Sequence, residues 1–368
     1  MRRTHPILAF LTVLAFLGLC GAARAEEEPV IPEWPMEELS PAFVWESILG
    51  ENKVKVPGRS RPRNCRMAGL YGRVRHGRFG QMDVVDGAFF ADFGSGRRVA
   101  TQIAESGRFA LEATVAPRTD DGEMPTGWIA ALDAEEEPLA FALVQWGKEL
   151  VLLLGRGSEE KGPTEVNLGK LPAGTPQHVV VNVGRDRITS FLDGEKAVEA
   201  DAPAFDPAAW EAATLAFGSD WHLKNKWAGM LEGVAIYPHE LSAETVRQHG
   251  RYFRQKVSQR PQLLPIVVKG SLRGTSQPPD ETVYPRALVL YRYDVEEVIS
   301  GSLDAEAIMV YHWAILGAEK QPVLERGFGK SYRLKVVPYE EFEAVLKEEQ
   351  RSEGAFMPGL PSLYDISR

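Results

Sequence analysis

Short apolar-rich runs separated by turn residues dominate the chain between residues 83 and 240. In the run FALEATV at residues 109–115, every odd-numbered position is apolar, while the even-numbered positions include Glu112 and Thr114. Such a two-residue period is typical of a strand with one buried and one solvated face. Many short strands joined by Gly- and Pro-rich turns predict a sandwich or a barrel. We predict strands at residues 88–93, 109–115, 128–132, 139–145, 150–154, 178–183, 188–192, 214–217 and 229–237.

Two tight hairpins are predicted by the turn dipeptides Arg185-Asp186 and Asp193-Gly194. Both dipeptides lie between β-rich runs, and Asp-Gly in that setting is a strong hairpin signal. The hairpins therefore predict antiparallel sheet in this part of the chain. Downstream of them, Ser242 stands where a hydroxyl side chain can cap the first turn of a helix.

A second β-rich unit is predicted after residue 285. It contains strand patterns at residues 287–299, 307–316 and 331–337, followed by a short helix pattern at 342–347. Three or four strands and one helix suit a small barrel. Prolines between the two units indicate a linker, among them Pro261, Pro265, Pro278 and Pro279.

The amino-terminal residues have the three parts of a secretory signal peptide. They are a basic start at Arg2, an uncharged apolar run at residues 7–19, and a small-x-small cleavage site ending at Ala25. The apolar run is too short for a comfortable membrane span, and no later run approaches its length. We therefore expect an exported protein, periplasmic or extracellular, with no transmembrane segment after signal removal.

Cysteine usage and charge restrict the classes of function. A lipid anchor at Cys20 is disfavoured because Leu19 stands where a lipobox has a small residue. After cleavage, Cys65 is the one cysteine left, so no internal disulfide is expected and an inert thiol is favoured. Removal of the signal takes away three arginines and no acids, which changes the formal net charge from -9 to -12. An acidic exported protein is a poor candidate for nucleic-acid binding.

The sign of the charge reverses locally over residues 51–80. After Glu51 no acid appears until Asp83, and the interval contains these basic residues: Lys53, Lys55, Arg59, Arg61, Arg63, Arg66, Arg73, Arg75 and Arg78. One interpretation is a solvated linker that balances acidic neighbours. The alternative is a strip that binds an acidic glycan or a phosphate-bearing surface, because clustered Lys and Arg concentrate anions. The candidate anion-binding residues are Arg59, Arg61, Arg63 and Arg66.

The sandwich segment contains motifs that are shared with a known family. They are VDGAFF at 85–90, FALEATVAP at 109–117, HVVV and FLDG at 178–181 and 191–194, and LEGVAIY and LSAE at 231–237 and 241–244. On these motifs, the stretch of about residues 70–255 resembles the laminin-G-like, concanavalin A-like lectin/glucanase superfamily, in the form of a bacterial exported envelope protein. The resemblance implies a two-sheet jelly roll that binds carbohydrate or a protein partner, sometimes with calcium. It specifies the fold better than the ligand, because one fold hosts many functions.

The predicted fold class is all-β, with a two-sheet antiparallel jelly-roll sandwich followed by a small C-terminal β-barrel-like module. That module loosely resembles one from bacterial exopolysaccharide export and modification. The predicted organisation is a signal peptide at 1–25, a Pro/Glu-rich and then basic segment at 26–69, the sandwich at 70–255, a linker at 256–285 and the C-terminal β-rich module at 286–368.

No catalytic residue is predicted. A glucanase of this superfamily needs paired carboxylates, one to protonate the leaving oxygen and one to attack the sugar. Acidic clusters occur at residues 120–123 and 133–137. Because Pro138 ends the second cluster between two strands, we interpret it as a solvated hairpin loop. A divergent hydrolase would use Asp133 or Glu135.

No metal motif is predicted either. The histidines are scattered, and neither HExxH nor a Cys/His ligand spacing occurs. His312 beside Trp313 is interpreted as a packed barrel residue. No cofactor is expected, although calcium stays open as an alternative because the rim sites of this superfamily use scattered ligands.

The segment 218–227 is the best candidate for a recognition loop. Trp221 offers an aromatic plate for the apolar face of a sugar, and Asp220, His222 and Asn225 offer polar groups for its hydroxyls. One aromatic with a few polar groups is the usual composition of a ligand site. The alternative interpretation is that Trp227 is a core residue and the rest an ordinary loop.

The leading functional hypothesis is an exported, non-catalytic protein that binds carbohydrate or has a structural role in the envelope. Its partner is expected to be a polysaccharide or an envelope protein, and not a nucleic acid. One alternative is a protein–protein scaffold in exopolysaccharide (alginate-like) secretion or modification. The other is a divergent glycoside hydrolase.

Overall fold

The computed structural model describes residues 39–45, 67–119, 123–133, 139–155, 162–210, 214–281 and 283–367. Several sequence predictions fall outside these described residues and stay predictions. They concern the signal peptide at 1–25, Cys20, Cys65 and the candidate anion-binding residues Arg59, Arg61, Arg63 and Arg66.

One network of antiparallel strands forms the first part of the protein. Its strands are β1 (Phe43–Trp45), β2 (Met67–His76), β3 (Met82–Ala91), β4 (Phe109–Pro117), β5 (Thr126–Asp133), β6 (Phe141–Trp146), β7 (Glu149–Leu154), β8 (Thr164–Lys170), β9 (Gln177–Val183), β10 (Arg187–Leu192), β11 (Glu195–Asp201), β12 (Thr214–Phe217) and β13 (Gly229–Tyr237). Their order is β11-β10-β9-β4-β13-β3-β12-β5-β6-β7-β8, with β1 paired to β13 and β2 paired to β3.

The network folds into two layers because the partner strand on one edge of β3 changes from β13 to β12 along the length of β3. In its first half, Val84 lies opposite Gly229 of β13. In its second half, Phe90 lies opposite Ala216 of β12. Both layers contribute buried side chains to one apolar core, among them Leu111, Val181, Leu143 and Leu152. The predicted two-sheet antiparallel sandwich is confirmed.

The residues beyond the predicted sandwich boundary also take part in it. Phe43 of β1 pairs with Ile236 of β13, and its ring stacks on Phe217 with 5.7 Å between centroids. Strand β2 begins at Met67. The sandwich therefore includes parts of the segment 26–69 that sequence patterns assigned to a separate region.

A helix that the sequence did not predict separates β3 from β4. Helix α1 (Phe93–Ser106) replaces the end of the strand expected at residues 88–93. The side chain of Asp92 caps the helix by accepting a hydrogen bond from Ser95 N at 2.9 Å, and Gly107 ends it with a left-handed φ of 66°. Asp and Gly at these positions are strong start and stop signals.

The predicted turn and cap chemistry is present. Asp193 and Gly194 have φ values of 52° and 87°, the left-handed values that a primed hairpin turn requires. Helix α2 (Ala243–Ser258) begins after Ser242, whose side chain accepts a hydrogen bond from Thr245 N at 3.1 Å. The local sequence thus specifies both the hairpin and the beginning of the helix.

Helix α2 covers the face of β4 that the alternation pattern predicted to be solvated. Glu112 of β4 lies 2.7 Å from His178 Nε2, 2.9 Å from His249 Nδ1 of α2, and 2.6 Å from the hydroxyl of Tyr237. All four side chains are buried, as is Thr114. The prediction that this face is solvated was wrong, because its polar side chains hydrogen-bond to one another beneath helix α2.

Seven strands form the second network, in the C-terminal part of the chain. They are β14 (Ile266–Thr275), β15 (Arg286–Ser300), β16 (Ala307–Leu316), β17 (Glu319–Lys320), β18 (Ser331–Pro338), β19 (Arg351–Ser352) and β20 (Ser362–Asp365). The pairings β15-β16, β16-β20, β20-β18, β18-β14 and β14-β15 close a ring. This is the small barrel that the sequence predicted. A short helix, α3 (Glu343–Leu346), follows β18.

Strand β14 corrects the linker predicted at residues 256–285. It pairs with both β15 and β18, so it is an internal member of the barrel wall. Pro265 and Pro278 lie outside the two ends of this strand and do not interrupt it. Gly270 obscures its apolar pattern, but a Cβ there would lie 3.1 Å from Cβ of Tyr293, so glycine makes room for a buried tyrosine.

The sandwich and the barrel contact each other through β2 and the strands β15 and β16. Arg286 donates a hydrogen bond to Val74 O at 2.5 Å, and its guanidinium lies 4.9 Å from the ring centroid of Trp313. Gly317, with a φ of 66°, approaches Gly72 so closely that a Cβ would collide with the Gly72 carbonyl. The two units therefore share a tightly packed boundary.

Candidate functional site

The loop between β12 and β13 is folded around the carboxylate of Asp220. This carboxylate accepts hydrogen bonds from the backbone N of Lys224 at 2.6 Å and of Asn225 at 3.1 Å, and from Asn225 Nδ2 at 2.9 Å. Asp220 is only 4% exposed. Two of the predicted ligand-binding residues thus contact each other, and Asp220 shapes the loop rather than facing solvent.

Trp227 anchors the end of the same loop in the core. Its indole Nε1 donates to Gln145 Oε1 at 2.7 Å, and its backbone N donates to Gly218 O at 2.8 Å. The side chain is 1% exposed. The interpretation of Trp227 as a core residue is confirmed, and its anchoring fixes where the loop leaves the sandwich.

Three aromatic rings from three elements meet beside this loop, and we call them the aromatic surface. Trp221 contacts Phe90 of β3 edge to face, with ring centroids 5.3 Å apart. Phe90 contacts Tyr71 of β2 in the same manner at 5.4 Å. Tyr71 is 55% exposed and Trp221 partly exposed, whereas Phe90 is buried between them. Two aromatic side chains are therefore presented to solvent on a rigid support.

A charged group lies next to the aromatic surface. Asp86 of β3 binds Lys226 Nζ at 2.7 Å and the guanidinium of Arg73 at 3.3 Å. The hydrogen bond from Lys226 lowers the pKa of the Asp86 carboxyl, so this group is ionised at neutral pH. Because all three side chains are partly solvated, they can exchange these contacts for hydrogen bonds to a ligand.

Sequence reasoning found only part of this arrangement. His222, the remaining predicted ligand residue, is exposed beside Trp221 in the same loop. The contribution of Tyr71 was missed because β2 lies in the basic stretch that was not predicted as a strand. The pairing of Tyr71 with Ala88 on β3 brings it to Phe90, and no local pattern reveals that register.

In the part of the predicted basic strip that the structure describes, the arginines pair with acids. Arg73 pairs with Asp86, as described above, and Arg78 pairs with Glu341 of the barrel. Arg78 also donates to Pro261 O at 2.8 Å. Through these contacts of Arg78, the strip forms part of the boundary between sandwich and barrel.

Asp133, one of the acids considered for catalysis, is engaged in the structure. Asp133 lies at the end of β5, is 8% exposed, and accepts a hydrogen bond from Trp221 N at 3.4 Å. Glu135 and the acids at 120–121 lie outside the described residues. Within the described part of the chain, no three His, Cys, Asp or Glu side chains form a group that could hold a metal ion.

His312 is the packed barrel residue that was predicted. Its Nδ1 lies 2.8 Å from Asp365 Oδ2, and its Nε2 lies 3.2 Å from the hydroxyl of Tyr293. Burial lowers the pKa of the imidazole, although the hydrogen bond to Asp365 opposes this effect. The neutral imidazole of His312 therefore connects Tyr293 and Asp365 within the barrel wall.

Comparison with known proteins agrees with the fold described above. Residues 94–247 match the family model described as the concanavalin A-like lectin/glucanases superfamily. The sandwich is a concanavalin A-like domain. This confirms the resemblance drawn from the sequence motifs, and the superfamily contains both binding domains and hydrolases. No curated protein sequence matches the chain.

The solved structures that are similar to this chain include one binding domain in complex with a protein and two domains in complex with sugars, all at low identity. The binding domain of botulinum neurotoxin DC, in complex with rat synaptotagmin II, has 8% identity and a TM-score of 0.43, with 81% of this chain and 73% of that chain covered. Domain 4 of AbnA, a GH43 extracellular arabinanase from Geobacillus stearothermophilus in complex with arabinotriose, has 15% identity and a TM-score of 0.34, with coverages of 50% and 87%. The CBM40 of the Ruminococcus gnavus IT-sialidase, bound to alpha2,3 sialyllactose, has 11% identity and a TM-score of 0.33, with coverages of 38% and 81%.

Among the helices of the described residues, none has both the length and the apolar character needed to cross a bilayer.

Proposed function

We propose that this protein is an exported, non-catalytic carbohydrate-binding protein that holds glycan on the aromatic surface of its concanavalin A-like domain. The observation that carries the proposal is the exposure of Tyr71 and Trp221 on a buried Phe90, beside the Asp86 group. An aromatic area with a few convergent polar groups is the usual make-up of a small-molecule site. Export to the periplasm or the cell exterior rests on the signal-peptide pattern.

The chemistry of the surface suits a sugar ring. The C–H faces of a pyranose are apolar and pack on aromatic side chains, which offer a large apolar area and, in Tyr and Trp, a polar tip. The sugar hydroxyls need donors and acceptors, and Lys226 and Asp86 supply them from one side. His222 and Asn225 are exposed residues of the loop that contains Trp221.

The absence of catalysis in this proposal rests on how the nearby acids are used. A glycosidase flanks the scissile bond with two carboxyl groups about 5–9.5 Å apart, both accessible to substrate. Asp133 and Asp220 are buried and accept hydrogen bonds from the backbone of the recognition loop. Neither is placed to donate a proton to, or attack, a sugar on the aromatic surface. We propose also that binding needs no cofactor.

The test is a glycan array and affinity electrophoresis with the purified protein and its Tyr71→Ala and Trp221→Ala variants. We expect glycan retention that both variants reduce about tenfold, since each removes an aromatic contact area. Phe328→Ala is the matched control, because Phe328 is also an exposed aromatic, 66% exposed, but lies in a barrel loop. Lack of binding to any glycan would overturn the proposal. Proteins that co-purify with the wild type and with both variants would favour the scaffold alternative. Turnover of a polysaccharide would favour a hydrolase.

A further inference from the structure

A cavity of about 200 Å³ lies between the sandwich and the barrel. The sandwich contributes Arg73, Arg75 and Arg118 to its lining, and the barrel contributes Arg326 and Asp365. Pockets for whole drug-sized ligands occupy about 300–1,000 Å³, so this cavity suits one polar substituent rather than an entire oligosaccharide. Four guanidinium groups around so small a space indicate that the substituent is an anion.

On the sandwich side, two carboxylates pair with four cationic side chains. Asp83 pairs with Arg75 at 2.7 Å and also with Arg118. One carboxylate neutralises one guanidinium, so this group of three carries a net positive charge. Asp86 likewise pairs with both Arg73 and Lys226. Arg75 and Arg118 expose only 20% and 15% of their side chains, and low hydration strengthens their attraction for an anion in the cavity.

On the barrel side, the carboxylate nearest to Arg326 is occupied by another partner. Asp365 lies 2.8 Å from Nδ1 of His312 and 3.7 Å from the guanidinium of Arg326. Arg326 instead donates a hydrogen bond to the hydroxyl of Tyr293 at 2.7 Å. The planar guanidinium of Arg326 therefore keeps N–H donors for a planar or tetrahedral oxyanion.

Strand β2 connects the cavity to the aromatic surface, because Tyr71 belongs to that surface and Arg73 and Arg75 line the cavity. Val74, between the two arginines, packs on the core. The four residue steps from Tyr71 to Arg75 span about 13 Å in a strand. A saccharide chain stacked on Tyr71 can therefore place a substituent of a neighbouring sugar unit among the arginines.

We propose that the cavity binds the anionic group of an acidic saccharide, a carboxylate or a sulfate ester carried by the glycan that lies on the aromatic surface. This inference rests on the proposed function and adds the substrate class to it. The arginines of both units supply the charge, and the aromatic surface supplies the contact with the neutral part of the chain.

The test compares matched glycans and matched arginine variants by isothermal titration calorimetry. Oligosaccharides of uronic acid, their carboxyl-reduced neutral counterparts and a sulfated series are titrated into the full protein. We expect the acidic glycans to bind about tenfold more tightly than the neutral ones, with an advantage that shrinks as salt rises. Which acidic series binds more tightly distinguishes carboxylate from sulfate.

One variant locates this preference in the cavity. Arg118→Gln leaves Asp83 paired with Arg75, so it strands no carboxylate. It should lose most of the preference for acidic glycan while keeping neutral binding. The control is Arg273→Gln: Arg273 is paired with one aspartate on the barrel surface, and its side chain is 51% exposed.

The outcomes separate this inference from the proposed function. Equal binding of acidic and neutral glycans, or equal effects of Arg118→Gln and Arg273→Gln, would overturn the cavity assignment and leave glycan binding standing. If no glycan binds, the proposed function fails, and titration with monomeric glucuronate then decides the cavity. Glucuronate binding that Arg118→Gln abolishes supports an anion site, and absence of glucuronate binding rejects it.

Discussion

Glu112 Oε1 lies 2.7 Å from His178 Nε2, and neither side chain is exposed by more than 2%. A buried carboxylate is tolerated when hydrogen bonds satisfy it, and here His249 and Tyr237 complete the set. Because His249 belongs to α2 while the other residues belong to strands, the cluster fastens that helix to the sandwich.

Removal of the Glu112 charge should destabilise the protein strongly. We expect Glu112→Gln to lower the free energy of unfolding by about 3 kcal/mol, because breaking a buried charge cluster leaves its other members without compensation. Urea denaturation measures the difference. Glu297→Gln, at an exposed glutamate of β15, should change the stability by less than about 0.5 kcal/mol. A loss for Glu112→Gln no larger than that of this control would show that the cluster is unimportant for stability.

The same cluster should make the protein sensitive to acid. Burial by itself raises the pKa of Glu112, but the hydrogen bonds from His178 and His249 outweigh it and lower the pKa from 4.5 to about 2. A depressed carboxyl pKa contributes stability above the unfolded value and loses it as pH falls toward the folded value. We therefore expect stability to decline as pH falls from 4.5 toward 2, and to decline less in Glu112→Gln. Parallel acid profiles for the two proteins would contradict this assignment.

The recognition loop should depend on Asp220 for its shape. In Asp220→Ala, the backbone N of Lys224 and of Asn225 lose their acceptor, so we expect a stability loss of about 1–3 kcal/mol and faster amide exchange within the loop. Glycan affinity should fall even though Asp220 does not face the ligand. Asp304→Ala, at an exposed aspartate, is the control. Unchanged exchange in the loop would mean that other contacts hold it.

The close approach of the two units should be sensitive to a single methyl group. Gly317 and Gly329 have φ values of 66° and 72°, but a Cβ on Gly329 would meet nothing within 4 Å. We expect Gly329→Ala to cost about 1–2 kcal/mol from the left-handed backbone alone. Gly317→Ala should cost more, because its Cβ collides with Gly72 of β2. Equal melting temperatures for the two variants would indicate that the boundary can relax.

Calcium removal should leave binding intact. The polar groups of the aromatic surface are paired with one another, as in the contact between Asp86 and Lys226. We therefore expect glycan affinity and melting temperature to be unchanged by EDTA. A drop in affinity that added calcium restores would favour the calcium alternative.

Most of the sandwich could be predicted from local patterns, because its strands alternate clearly and its turns carry specific residues such as Asp193-Gly194. Helix α1 was missed because its sequence contains two glycines and few apolar residues, so that its strongest signal is the cap at Asp92. Strand β14 was missed because Gly270 and Gly274 interrupt it and prolines flank it on both sides.

The candidate site was predictable only where one loop supplies it. Trp221 and its polar neighbours share a short segment and were found together. Tyr71 joins them through the register of β2 on β3, and the cavity combines Arg73 with Arg326, residues far apart in sequence. Contacts of this kind arise from packing of whole elements, which periodicity in one segment does not report.

The ring of the barrel closes through β20, the last of its strands along the chain. Ser362–Asp365 lies between β16 and β18, and until these residues are synthesised both neighbours keep an unpaired edge. Unpaired strand edges are templates for aggregation. A chain interrupted before Ser362 would thus expose these two edges to other chains, so pairing with β20 protects the barrel wall from intermolecular association.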